Sequence, residues 1–139
     1  MLINHASVEP RTLLLDMDEW DWHRTLDVNL TGAFLAMQSV GRVMRERGGG
    51  VIINLASLSG GTAALDRSAY VSSLFGLVGL THQAARELFS YNIRVHMAGR
   101  GLGRFQNTGA TIPADLSRAV LFLCSERAAH ITGNIVNLP

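Results

Sequence analysis

The chain has 139 residues, of which 47% are hydrophobic and 17% are charged, a composition typical of one globular domain with a buried core. Twelve arginines, no lysine and eleven acidic residues leave a formal charge of +1, which gives no reason to expect a nucleic-acid or membrane-surface partner. The single cysteine excludes an internal disulfide, and no apolar run approaches the roughly 18 to 20 residues of a membrane span. Because the first ten residues also lack the pattern of a signal peptide, we expect a soluble cytoplasmic protein.

Short apolar runs alternate with longer helical patterns along the chain. The first run, residues 1–4, reads as the end of a buried strand. A helix is predicted over about 20–47 because apolar side chains recur every three or four positions, and Gly48 ends it. These apolar side chains are Leu26, Leu30, Phe34, Met37, Val40 and Met44. The β-branched run at 51–57 predicts a second strand, and a loop rich in glycine and serine follows at 58–66.

The second half of the chain continues the same alternation. Helical periodicity resumes over about 68–89, and the apolar run at 93–98 predicts a third strand. A loop rich in glycine and arginine follows at 99–109. Residues 113–126, with a proline at the first position, predict another helix, and 133–138 predict the last strand.

This order of elements predicts an α/β fold, with a parallel sheet of about four strands and helices on both faces. The whole chain, residues 1–139, is expected to form one domain. The helix that begins near Ser68 is apolar nearly all round, so it must be covered on two sides. The sheet covers one side. Either a second copy of the chain or another helix of the same chain could cover the other, and the sequence leaves both open.

Six segments, in order, follow the motifs of a known enzyme family. They are "LINHAS", "DVNLTGAF", "GGGVIINLASLSG", "SAYVSSLFGLVGLT", "NIRVHMAGRGLG" and "ADLSRAVLFLCSERAAHITGNIVNL". Through them the chain resembles the later half of the short-chain dehydrogenases/reductases, Rossmann-type oxidoreductases that depend on NAD or NADP. The resemblance implies a partial Rossmann-like fold of three layers. It also implies hydride transfer to or from a small carbonyl or alcohol substrate.

The resemblance further implies an active site of three residues. Ser57 would hydrogen-bond the substrate oxygen, and Tyr70 would exchange a proton with that oxygen as general acid or base. Asn29 would hold a water through an interrupted helix. Hydride transfer to a carbonyl needs such a proton because negative charge develops on the oxygen.

The same resemblance implies that Asn4, Ala6 and Gly101 lie beside the NAD or NADP cofactor. No metal is expected to take part, because the five histidines do not have the spacing of metal ligands.

One departure from the family pattern concerns the charge beside the tyrosine. In the family a lysine stands where this chain has Leu74, one helical turn after Tyr70. A cation about 4 Å from a phenolate stabilises it by roughly 4 kcal/mol at an effective dielectric of about 20. Leu74 supplies no charge, so Tyr70 is expected to keep its proton at neutral pH. Arg100 is a candidate to replace the missing charge.

Other departures concern the cofactor pocket. The family's residues there are replaced by His5, Ser7, His96, Arg100 and Phe105. The first three strands of the family, with the glycine-rich turn that receives the pyrophosphate, are absent from the sequence. The glycines at 48–50 lie between a helix and a strand, the reverse of the order that a phosphate loop needs, and "AGRGLGRF" is not followed promptly by a helix.

We therefore predict an NAD(P)-dependent oxidoreductase by resemblance, impaired or inactive as this chain alone. The alternative is a non-catalytic association module that forms homo- or hetero-oligomers through the helices that begin near Trp20 and Ser68. A third hypothesis is a fragment of a longer enzyme, because the sequence opens inside a strand.

Overall fold

The computed structural model describes residues 1–57, 65–100 and 113–138, apart from the side chains of Arg100, Pro113 and Ala114. The strands are β1 (Leu2–Asn4), β2 (Gly50–Ser57), β3 (Ile93–Arg100) and β4 (Ile135–Leu138). The α-helices are α1 (Glu19–Leu26), α2 (Gly32–Glu46), α3 (Ser68–Leu88) and α4 (Pro113–Cys124). A π-helical turn (Asp27–Thr31) joins α1 to α2, and short 3-10 turns span Phe89–Tyr91 and Glu126–Ala128.

The four strands form one parallel sheet in the order β1-β2-β3-β4. The register of the three strands β1, β2 and β3 can be given at Ile53 of β2, which pairs with Ile3 of β1 and with His96 of β3. The predicted parallel sheet of about four strands is confirmed. The third strand runs two residues further than predicted, through Gly99 and Arg100, and residues 101–109 of the predicted loop lie outside the described residues.

Helices cover both faces of the sheet, as predicted. On one face, Met37 and Met44 of α2 and Ala85 of α3 pack against Ile52 and Val95. On the other face, α4 packs Leu123 against Ile53 and Ala98. The result is a layer of two helices, a sheet and a layer of one helix, which is the three-layer arrangement implied by the family motifs.

Helix α3 is covered on its second side partly by the same chain. The π-helical turn lies against it, and Leu30 of that turn approaches so closely that a Cβ at Gly76 would meet its side chain at 2.8 Å. The interpretation that an element of the same chain covers α3 is therefore confirmed at Gly76. Phe75, the neighbouring residue, remains 56% exposed.

The least expected core residue is His96, which is fully buried on the α4 face of β3. Neither ring nitrogen has a hydrogen-bond partner among the described residues. Burial, with a further contribution from the Arg94 guanidinium, lowers the pKa of His96 to about 4. Arg94 itself donates to the carbonyl oxygens of Leu123 and Ala128, and so fixes the end of α4 against the sheet.

The lowered pKa of His96 predicts that the fold loses stability at acid pH. The folded state binds fewer protons than the unfolded chain between the folded pKa of about 4 and the unfolded value near 6.5. The free energy of unfolding should therefore fall by about 3 kcal/mol as pH drops through this window. Urea denaturation of a His96→Leu variant should show a flatter pH dependence than wild type. The matched change at an exposed position, His130→Leu, should retain the wild-type slope; equal slopes in all three proteins would contradict the prediction.

Candidate functional site

Two of the predicted catalytic residues meet where β2 ends and α3 begins. Ser57 is the last residue of β2, and its side chain is exposed. Tyr70 lies in the first turn of α3 and is 3% exposed. The Tyr70 hydroxyl donates a hydrogen bond to the backbone carbonyl of Ser57 at 2.5 Å. The phenol is therefore held beside the residue that the family motif pairs with it.

Asn29, the third predicted residue, lies in the π-helical turn and is buried. Its Oδ1 accepts from the Val8 backbone N–H at 2.8 Å. Its Nδ2 donates to the Val8 carbonyl at 3.0 Å and to Ser73 Oγ at 2.9 Å. Ser73 Oγ in turn donates to the Tyr70 carbonyl. Both amide hydrogens of Asn29 are thus used within the protein, and only oxygen lone pairs of this residue are open to a water.

Asn4, predicted beside the cofactor, lies at the carboxyl end of β1. Its amide donates to Asn54 Oδ1 on β2 at 2.8 Å, and Asn54 Nδ2 donates to Thr81 Oγ1 on α3 at 2.9 Å. Asn54 and Thr81 are fully buried, so this chain of hydrogen bonds fixes α3 to the sheet below the site. Sequence reasoning missed both residues, although the asparagine interrupting the apolar run at 51–57 was a signal.

The structure says less about the other two residues predicted to lie beside the cofactor, Ala6 and Gly101. Ala6 is exposed, two residues beyond β1. Gly101 lies outside the described residues, as does the side chain of Arg100. The hypothesis that Arg100 replaces the family lysine therefore stays a prediction.

Leu74 is buried against Tyr70, Ala56 and Val71, so the position of the family lysine is part of an apolar cluster. The pKa of Tyr70 is raised above its ordinary value, first by burial and then by the carboxylate of Glu9, while Arg67 acts in the opposite direction. This agrees with the expectation that Tyr70 keeps its proton at neutral pH.

An ion pair between a buried arginine, three residues before Tyr70, and a partly exposed glutamate was not predicted. The Arg67 guanidinium meets the Glu9 carboxylate at 2.8 Å, and the Arg67 side chain is only 3% exposed. The Thr12 backbone N–H donates to the Asp66 carbonyl, which ties the segment after β1 to the residues before α3. An arginine directly before a helix, where the positive end of the helix dipole disfavours cations, was the available sequence signal.

The site lies outside the carboxyl ends of β1 and β2, where parallel sheets generally bind their ligands. Asn4, Ser57 and Tyr70 could border the nicotinamide end of a dinucleotide there. No described residue forms a glycine-rich turn at a helix N-terminus after a strand, so the described part of the chain does not fit the pyrophosphate.

Two further findings concern residues 1–57, 65–100 and 113–138. No cluster of histidine, cysteine or acidic side chains there could bind a metal ion. Within the same ranges, every helix is too short or too polar to cross a bilayer.

Comparison with known proteins agrees with this geometry. A family model described as short chain dehydrogenase matches residues 1–112. The 3-oxoacyl-[acyl-carrier-protein] reductase of Aquifex aeolicus is 32% identical, and the match covers 99% of this chain and 63% of the relative. Trans-4-hydroxycyclohexanecarboxylate dehydrogenase of Sinomonas cyclohexanicum is 34% identical over 96% of this chain and 56% of the relative. The chain thus spans about six tenths of the length of these curated relatives.

Solved structures give the same result. A short chain dehydrogenase from Mycobacterium smegmatis superposes with a TM-score of 0.87 at 29% identity, covering 99% of this chain and 57% of that chain. A 4-hydroxyisoleucine dehydrogenase, solved in complex with NADH and succinate, has a TM-score of 0.85 at 34% identity and covers 99% and 65%.

The hydrogen bonds of Asn29 predict its contribution to stability. Asn29→Ala removes three hydrogen bonds and leaves the Val8 backbone groups without these partners, so the free energy of unfolding should fall by about 2 to 4 kcal/mol. Urea denaturation measures the loss. Asn134→Ala, at an exposed position, is the matched control and should change stability by less than about 0.5 kcal/mol. Similar losses in both variants would show that the Asn29 amide has no special role.

Proposed function

This chain belongs to the short-chain dehydrogenase family, and from that membership we propose that it takes part in NAD- or NADP-dependent hydride transfer between a small carbonyl compound and the corresponding alcohol. In this proposal Tyr70 is the proton donor, Ser57 binds the substrate oxygen and Asn29 positions the helix that carries Tyr70. The observation that carries the proposal is the hydrogen bond between the Tyr70 hydroxyl and the Ser57 carbonyl. It supports a protonated phenol at the end of β2, beside the exposed Ser57 side chain.

The chemistry favours the direction of carbonyl reduction. When hydride reaches the carbonyl carbon, the oxygen must gain a proton, and a neutral phenol can donate one. The Tyr70 phenolate left behind would recover its proton from solvent. Because burial raises the pKa of Tyr70, the phenol is present in its donor form at neutral pH but is a weak acid. We therefore propose slow turnover for this chain acting alone.

The cofactor, when bound, supplies or accepts the hydride. On this chain we propose Asn4 and Ala6 beside the nicotinamide end, with Gly101 as a third contact. Leu74 provides no cation for the ribose or for the phenol, and the described residues provide no turn for the pyrophosphate. Both features support weak cofactor affinity of the isolated chain.

The two tyrosines of the chain allow a matched test of this function. Oxidation of NADH and NADPH by the purified chain should be followed by absorbance with a panel of small ketones and 3-oxoacyl thioesters. Tyr70→Phe should lower the rate at least about 100-fold, because it removes the donated proton while keeping the ring. Tyr91→Phe changes the other, partly exposed tyrosine and should leave the rate unchanged.

Binding of both cofactors should be titrated in the same preparations. Saturable binding together with a rate that depends on Tyr70 would support the proposal. If Tyr70→Phe is as active as wild type, or if no cofactor binds at millimolar concentration, the chain by itself is not such an oxidoreductase.

A second candidate function, association through α2 and α3, is favoured by the outer surface of these helices. Phe34, Leu35 and Val43 of α2 and Phe75 of α3 are all more than 40% exposed. Exposed large apolar side chains are frequent at interfaces, and Phe34 also lines the groove between α2 and α3. This agrees with the alternative prediction of an association module.

We propose that the occupant of this surface is a second copy of the chain. The groove between the two helices carries Arg42 and Arg45 from α2 and Glu87 from α3. Charges of both signs in one groove suit pairing with a second copy about a two-fold axis, where the same surface faces itself.

This association predicts a concentration-dependent dimer in sedimentation velocity. Phe34→Ser, in the groove between α2 and α3, should shift the equilibrium toward monomer at least about tenfold, because it removes an apolar side chain from the interface. Phe122→Ser removes a similarly exposed phenylalanine from α4, on the opposite face of the sheet, and should leave the equilibrium unchanged. A wild-type chain that stays monomeric at high concentration would contradict this second candidate.

A further inference from the structure

Arg67 occupies an unusual position for a cation. It is the last residue before α3 and lies three residues before Tyr70. Its side chain is nearly inaccessible to solvent, and a buried guanidinium is strongly unfavourable unless a carboxylate pairs with it. The positive end of the α3 dipole makes a cation at this position still less favourable. The partner that makes the position tolerable is Glu9, at 2.8 Å.

Glu9 is held in place from both sides. Before it, both backbone groups of Val8 are bonded to the Asn29 amide. After it, the Thr12 backbone N–H is bonded to the Asp66 carbonyl, and Thr12 pairs with Arg67 in an isolated parallel bridge. The carboxylate is therefore presented to Arg67 by a fixed segment. The position of the pair next to Tyr70 is set by the fold.

We propose that the Glu9–Arg67 ion pair controls proton transfer at Tyr70, with Arg67 as the cation that Leu74 does not supply and Glu9 as the carboxylate that neutralises it. Both are positioning residues, because they act on the phenol through charge and have no described contact with its hydroxyl. The inference rests on the proposed role of Tyr70 as proton donor.

The balance of charges around Tyr70 supports this role. After burial, Glu9 is the next largest influence that raises the pKa of Tyr70, whereas Arg67 and, after it, the hydrogen bond with the Ser57 backbone lower it. Arg11, whose guanidinium is largely exposed, lies 3.5 Å from Glu9 and competes weakly for its charge. Asp66 precedes Arg67 and joins this region through its backbone. Removal of the Glu9 carboxylate would therefore give the Arg67 guanidinium a larger effect on the pKa of the phenol.

The test is a direct titration of the phenol, which needs neither cofactor nor turnover. In a Tyr91→Phe background Tyr70 is the only tyrosine, and its ionisation can be followed by ultraviolet absorbance. Incorporation of 3-fluorotyrosine brings the titration to a milder pH, so that folding is maintained. Glu9→Gln should lower the pKa of Tyr70 by at least about one unit. Arg67→Gln should raise it, and the double variant should lie between the two single variants.

The matched control is Glu46→Gln, which changes the net charge equally at the exposed end of α2. Glu46 comes just before the beginning of β2, whereas Tyr70 lies beside the end of that strand. This variant should leave the Tyr70 titration unchanged. Circular dichroism at each pH identifies the folded range. If a single variant does not fold, the charge-free double variant is compared with the parent, and its pKa should be lower because the contribution of Glu9 exceeds that of Arg67.

A purely structural ion pair would give a different result. It would lower the free energy of unfolding in Glu9→Gln but leave the Tyr70 titration of that variant equal to the titration of Glu46→Gln, and this result would overturn the inference. A shifted titration in a chain that oxidises no NADH or NADPH would instead uphold the ion-pair inference and reject the proposed function. The two failures are therefore distinguishable.

Discussion

The side-chain amide of Asn29 is the interaction on which the arrangement of the site depends. From the π-helical turn it bonds both backbone groups of Val8 and the hydroxyl of Ser73. It thereby joins the segment after β1 to α3, two parts of the chain that are far apart in sequence. Because a buried amide leaves unpaired polar groups if any of these partners moves, the connection specifies one geometry.

Two consequences follow from this connection. The segment after β1 presents Glu9 to Arg67, and α3 presents Tyr70 to the carbonyl of Ser57. A second set of buried bonds, through Asn54 and Thr81, fixes α3 to the middle of the sheet. Polar contacts therefore fix α3 both at Tyr70 and further along the helix at Thr81.

The charge environment of Tyr70 differs from that of the family pattern in kind. A lysine at the position of Leu74 would place a cation one turn after the tyrosine, whereas this chain places an apolar side chain there. The cation in this chain comes one turn before the tyrosine, and a carboxylate accompanies it. Burial first, and then the Glu9 carboxylate, raise the pKa of Tyr70, so the phenol keeps its proton, which suits the donor role proposed for it in carbonyl reduction.

The sequence by itself determined the order of strands and helices, the parallel sheet and the helices on both faces, because hydrophobic periodicity and glycine and proline positions are local signals. It also singled out Ser57 and Tyr70, which the fold brings within one hydrogen bond. Only the tertiary structure decided the partners of the buried polar groups. The family motifs pointed to Asn29 and His96, but the sequence did not name the partners of Asn29, Asn54 or Arg67, since a hydrogen bond or ion pair between distant segments leaves no periodic signal. Which carboxylate meets which cation depends on how the segment after β1 folds back, and that is fixed by contacts between residues tens of positions apart.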